Sequence, residues 1–125
     1  MTDLEQAIYM VYESVKSRLP LNFAQFKEAT NNWEFTPLKE NGEVIGAVMA
    51  KDNELHIGYG KKPQSSILRH IRKPLKMAFE KYGYVVTSVM KDNKKGLNFC
   101  KRIGFIVFNE ENDKILLRCD RSKYV

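Results

Sequence analysis

Apolar side chains recur at helical spacing over residues 3–18, where Leu4, Ala7, Ile8, Val11, Tyr12 and Val15 share one face. Thr2 or Asp3 is placed to cap the start of that helix and Pro20 to stop it. A shorter helix is predicted over 23–30, with Phe23 and Phe26 turned inward and Asn31 and Asn32 ending it. The pattern then changes to that of strands, at 33–38, 44–50 and 55–60, separated by the turns Glu40-Asn41-Gly42 and Lys51-Asp52-Asn53. Residues 44–50 lack polar alternation, so both faces of that strand should be buried. After the loop GKKPQSS, the positions Leu68, Ile71, Leu75, Ala78, Phe79 and Tyr82 repeat at helical spacing as far as Gly83. Pro74 lies inside this stretch, which predicts a kink or a helix start there. A strand at 84–90, a helix at 95–103 and strands at 105–109 and 114–119 complete the order ααβββαβαββ.

That order predicts an α/β chain of mixed type: one domain over 1–125, with a single sheet of about six strands and helices on both faces. The strand–helix–strand stretch from 55 to 90 is a βαβ unit, so its two strands should be parallel, with a right-handed crossover. Short turns join the other strands, which should be antiparallel. A chain of 125 residues can bury one core, and 43% hydrophobic with 29% charged residues is ordinary for a globular protein. The longest apolar runs fall far short of the ~20 residues that cross a bilayer. The opening MTDLEQAIYM carries acids where a secretory leader needs bases, so no leader is expected. Cys100 and Cys119 are the two cysteines, and no histidine cluster surrounds them. A reducing, cytoplasmic compartment and no metal are the expectations.

Charge alters this plain picture. Residues 1–60 carry five Lys/Arg against nine Asp/Glu, residues 61–102 twelve against two, and residues 103–125 four against four. A net +10 confined to 61–102 implies either a polyanionic partner beside that segment or a solvated basic face.

From Asn93 the chain reads N-K-K-G-L-N-F-C-K-R-I-G-F. Asn93, Gly96, Gly104 and Phe105, with Cys100 between them, resemble in spacing the segment by which GNAT N-acetyltransferases follow the strand beside their cofactor. The order of elements is similar to that superfamily over nearly the whole chain; the motif covers 84–105. Met90-Lys91-Asp92-Asn93 ahead of FCKRIGF also resembles small phage-encoded proteins, a likeness that would place the chain in a virion or its host's cytoplasm. The resemblance implies acetyl-CoA as cofactor and an amine as acceptor. It implies a pantetheine arm laid along Ile57, Gly58 and Tyr59, and a pyrophosphate on the N–H groups of Gln64, Ser65, Ser66 and Ile67, where a helix N-terminus favours anions. Lys61, Lys62 and Arg69 would meet the phosphates, and Asn93 and Phe99 the rest of the cofactor.

Two departures from the family pattern stand out. The phosphate loop carries no glycine after Gln64, and Cys100 stands where the family has a tyrosine acid. Amine acetylation needs a base for the ammonium proton and an acid for the departing thiolate. Glu54 and His56, two apart on one strand face, are candidates for the base, and Cys100 for the acid. The plainer roles are an ordinary strand histidine and a packed thiol. Three functions fit: an N-acetyltransferase, a GNAT-fold protein without activity that serves in structure or interaction, and nucleic-acid binding through 61–102 with Tyr59, Tyr82 and Tyr84 nearby.

Overall fold

A computed structural model describes residues 1–120. Helices α1 (Asp3–Val15) and α2 (Phe23–Ala29) precede strands β1 (Glu34–Glu40), β2 (Glu43–Lys51) and β3 (Glu54–Tyr59), followed by α3 (Ile67–Tyr82), β4 (Val85–Met90), α4 (Lys94–Arg102), β5 (Ile106–Glu110) and β6 (Lys114–Cys119). Hydrogen bonding orders the strands β1-β2-β3-β4-β6-β5 in one open sheet. By backbone contacts the described residues form two compact units, Met1–Lys51 with His56–Ile71, and Asp52–Leu55 with the residues from Arg72 onward.

In the first unit, α1 starts where Thr2 Oγ1 accepts the Glu5 N–H at 3.1 Å, with Asp3 and Glu5 favourably placed in the first turn. It ends earlier than the apolar period suggests. Ser14 Oγ bonds back to the Val11 carbonyl at 2.6 Å, and Lys16–Arg18 tighten into a single 3-10 turn. Leu19, ahead of Pro20, is extended at φ −120 and ψ 132. A capping box opens α2, with Asn22 Oδ1 accepting from Gln25 N–H and Gln25 Oε1 from Asn22 N–H. Ala7, Ile8, Met10 and Val11 of α1 bury against Phe26, Phe35, Val44 and Ala47, each large apolar side chain contributing ~1.5–3 kcal/mol.

Strands β1 and β2 pair antiparallel around Asn41 (φ 53) and Gly42 (φ 77). Both central residues are left-handed, as a two-residue hairpin turn requires, and the Asn-Gly pair supplies that at low cost. Pro37 is tolerated because β1 is an edge strand. On β2 the run from Val44 to Val48 is continuously buried, as its unbroken apolar pattern predicts. After β3, Gly60 lies so close to α1 that an added Cβ would stand 2.9 Å from Met10 Cα. Gly60→Ala should therefore destabilise the protein by about 1–3 kcal/mol, read by urea denaturation.

The second unit carries the parallel pair. Glu54 of β3 faces Val86 of β4 in parallel register, the Asn53 carbonyl accepts the Val86 N–H at 3.0 Å, and Thr87 Oγ1 donates to the Leu55 carbonyl at 2.6 Å. This is the βαβ arrangement expected from residues 55–90. Strand β6 runs antiparallel between β4 and β5. Helix α3 runs unbroken from Ile67 to Tyr82 with Pro74 inside it, so it begins seven residues earlier than a proline start would place it. The cost is the hydrogen bond that position 74 would have given the His70 carbonyl. Leu75, Val85, Leu117 and Cys119 are the most deeply buried side chains of this unit.

Candidate cofactor site

The loop after β3 is organised by two carboxylates from the β1–β2 turn. Glu40 accepts the backbone N–H groups of Gln64 on Oε1 and Ser65 on Oε2, both at 2.8 Å. Glu43, at the other side of the same turn, pairs with Lys61 Nζ. Ser66 then caps α3, its Oγ accepting the Arg69 N–H at 3.3 Å. The Glu40 carboxyl is held below its ordinary range by the Gln64 and Ser65 N–H bonds, against a smaller opposing cost of burial.

Glu40 also anchors a chain of polar side chains. His70 Nε2 lies 3.6 Å from Glu40 Oε2, and His70 Nδ1 lies 2.7 Å from Tyr59 Oη. A carboxylate only accepts, so the imidazole proton belongs on Nε2; Nδ1 is then the acceptor and the Tyr59 hydroxyl the donor. Burial, followed by the Glu40 charge, pushes the Tyr59 phenol up to about 12, which keeps that proton in place. Of the polar site residues proposed from sequence, this loop therefore gathers Tyr59, Lys61, Gln64, Ser65 and Ser66, and adds Glu40 and His70.

The other assignments of the first unit take simpler places. Ile57 and Gly58 are half-buried on β3, and the face of Gly58 that would bear a Cβ is turned to Val11 and Ser14 of α1. Lys62 and Arg69 are exposed, and Ile67 is the first residue of α3. The His56 ring lies 5.5 Å from that of Trp33, and the Lys51 ammonium stands 5.9 Å from the Trp33 ring centroid.

In the second unit, Glu54 opens β3, half-buried. Asn93 caps α4, with Oδ1 accepting the Gly96 N–H at 3.0 Å, and a Cβ at Gly96 would collide with that side chain. At the far end Phe105 N–H reaches the Cys100 carbonyl at 2.9 Å and Gly104 N–H the Lys101 carbonyl at 3.2 Å, with Gly104 at φ 115. That is a Schellman stop. All four residues that carried the motif thus serve to begin and end one helix. Phe99 carries the Arg102 guanidinium at 5.5 Å from its ring.

Burial, and secondarily the Cys119 charge, pushes the Cys100 thiol up to about 11. A thiol raised in this way is a weaker acid than an ordinary one near 8.5. Cys100→Ala should leave any acetyl transfer unchanged and cost about 1 kcal/mol of stability. A fall in turnover with the fold intact would restore Cys100 as the acid.

No family model and no curated protein matches this sequence. Solved structures do. The PaiA N-acetyltransferase of Thermoplasma acidophilum, in complex with coenzyme A, superposes with a TM-score of 0.68 at 15% identity, over 95% of this chain and 93% of that one. The Campylobacter jejuni N-acetyltransferase PseH, in complex with acetyl coenzyme A, gives 0.66 at 16% over 94% and 92%. A GNAT family acetyltransferase from Elizabethkingia anophelis, with acetyl-CoA bound, gives 0.65 at 16% over 90% and 89%. The chain has the GNAT acetyltransferase fold. In this GNAT-fold chain, the loop between β3 and α3 is the segment that sequence resemblance assigned to the cofactor phosphates. Among the described residues no group of three or more His, Cys, Asp and Glu could hold a metal, and no helix is long and apolar enough to cross a membrane.

Proposed function

We propose that the protein is an acetyl-CoA-dependent N-acetyltransferase acting on an amine. The observation that carries this reading is the state of the phosphate loop. Gln64 and Ser65 direct adjacent backbone N–H groups onto one carboxylate. Donors arranged for one oxyanion fit another, and the start of α3 adds its dipole. Coenzyme A fits that donor set: Gln64, Ser65, Ser66 and Ile67 would hold the pyrophosphate, with Lys61, Lys62 and Arg69 supplying charge. Acetyl-CoA supplies the activated acetyl group. Ile57 to Tyr59 would position the pantetheine arm, a β3 N–H would polarise the thioester oxygen, and Glu54 or His56 would take the amine proton. Two free cysteines fit a cytoplasmic setting.

A second reading has an observation of its own. The raised Cys100 thiol at the position of the family's acid favours a chain that binds coenzyme A without transferring the acetyl group. One calorimetric titration with acetyl-CoA, run beside an assay of free thiol release with a panel of amines, separates the two. Binding with thiol release supports transfer, and binding alone supports the second reading. Absence of binding at millimolar acetyl-CoA, in wild type and in a Glu40→Gln/Glu43→Gln variant alike, would remove both.

A further inference from the structure

The four residues of the β1–β2 turn, Glu40-Asn41-Gly42-Glu43, place one carboxylate on each side of a rigid left-handed pair. Both carboxylates reach the same short loop, Glu40 to the Gln64 and Ser65 N–H groups and Glu43 to the Lys61 ammonium. These are the donors that the proposed function gives to the cofactor's pyrophosphate. We infer that the hairpin tip is an internal anionic plug, whose two carboxylates occupy the phosphate loop and must leave before a diphosphate can bind. The inference rests on the coenzyme A reading and adds a control element to it.

Several features argue for a plug rather than an ordinary surface contact. Backbone N–H groups have one hydrogen each, so Gln64 and Ser65 cannot serve Glu40 and a phosphate fully at the same time. A carboxylate left in place would also repel a doubly charged pyrophosphate at contact distance. The Glu40 side chain is 12% exposed and lies 3.6 Å from His70 Nε2, while His70 Nδ1 is hydrogen-bonded to Tyr59. Glu43 is 53% exposed, so its hold on Lys61 is the weaker of the two. The turn itself has no need to move. It is pinned beside the loop because Gly60 and Lys61 N–H groups both reach the Ile45 carbonyl, at 2.8 and 3.3 Å. Rotation of the two side chains is enough. Once Glu40 swings out, the His70 Nε2–H that faced it becomes a donor for the incoming phosphate.

The test measures coenzyme A affinity by calorimetry and melting temperature without ligand, on wild type, Glu40→Gln, Glu40→Gln with Glu43→Gln, and Glu34→Gln. Glu34 is an exposed acid of the same strand and controls for net charge. Glu40→Gln should bind coenzyme A about tenfold more tightly and melt lower, because it trades charge-assisted hydrogen bonds for neutral ones. The double variant should bind tighter still, with Glu34→Gln like wild type. Opposite signs on affinity and stability are the signature, since a merely structural Glu40 would lower both. Binding by wild type that is unchanged or weakened in Glu40→Gln overturns the plug and leaves the cofactor reading standing. A double variant and a wild type that both fail to bind overturn the cofactor reading itself, and the plug with it. Binding by the variants alone would establish the plug in its strongest form.

Discussion

Alanine at both Lys61 and Arg69 should weaken acetyl-CoA binding roughly a hundredfold at low salt, while the melting temperature barely moves. Hydrogen bonds to charged groups are worth ~1.5–3 kcal/mol each. Both side chains project into solvent, so the lower end applies, and each 1.4 kcal/mol is about tenfold. Lys61 spends its charge on Glu43 in the free protein, so its loss also frees that carboxylate. Salt supplies an internal check. The Debye length shrinks from about 10 Å at 0.1 M to about 3 Å at 1 M, so the gap between wild type and the double variant should narrow at high salt. Lys16→Ala, an exposed lysine paired with Glu13 on α1, controls for the loss of positive charge as such. Equal affinity in wild type and the Lys61/Arg69 variant at low salt would remove the phosphates from this loop.

The order of elements was legible because each carries its own period: the 3.6 spacing of α1, the unbroken run of β2, and the Asn-Gly turn between β1 and β2. The parallel pairing of β3 with β4 followed from the helix that connects them. Boundaries shifted where side chains compete with the backbone, as Ser14 does at the end of α1. The helix through Pro74 shows packing outweighing a local rule, for Ile71, Leu75 and Ala78 bury one stripe on both sides of the proline.

The loop of the candidate site was legible in part as a cluster of neighbouring polar residues. Lys61, Gln64, Ser65 and Ser66 are adjacent in sequence, and nearness in sequence is what a spacing argument can see. Glu40 lies 24 residues from Gln64, and His70 joins it only after β3 and its loop have folded back. A signal did exist: two acids flanking a hairpin turn in a chain whose next loop is basic. The segment from Asn93 to Phe105, which carried the GNAT resemblance that the fold bears out, also has a purely local role. Asn, Gly and Gly-Phe recur at those spacings because a short helix needs an N-cap, a small residue beneath it and a left-handed stop. The same requirement would arise with or without a cofactor.

Leu117→Ala should cost about 2–5 kcal/mol, a large share of the 5–15 kcal/mol typical of a whole domain. Leu117 has no exposed surface and sits mid-strand on β6, opposite Thr87 of β4 and Val107 of β5. With strands on both sides, β6 cannot shift to fill the space, so the loss includes a cavity as well as lost burial. Its neighbour Arg118 points the other way, with its guanidinium 4.0 Å from the Tyr84 ring centroid. A slip of one residue would exchange the two and drive a cation into the core, so register and burial stand or fall together. Urea denaturation should show a lower midpoint with an unchanged slope. Ile106→Ala on edge strand β5, where the side chain is 73% exposed, should stay within about 0.5 kcal/mol of wild type. Equal losses at both positions would mean that β6 does not present Leu117 to the core, and the order β4-β6-β5 would have to be redrawn.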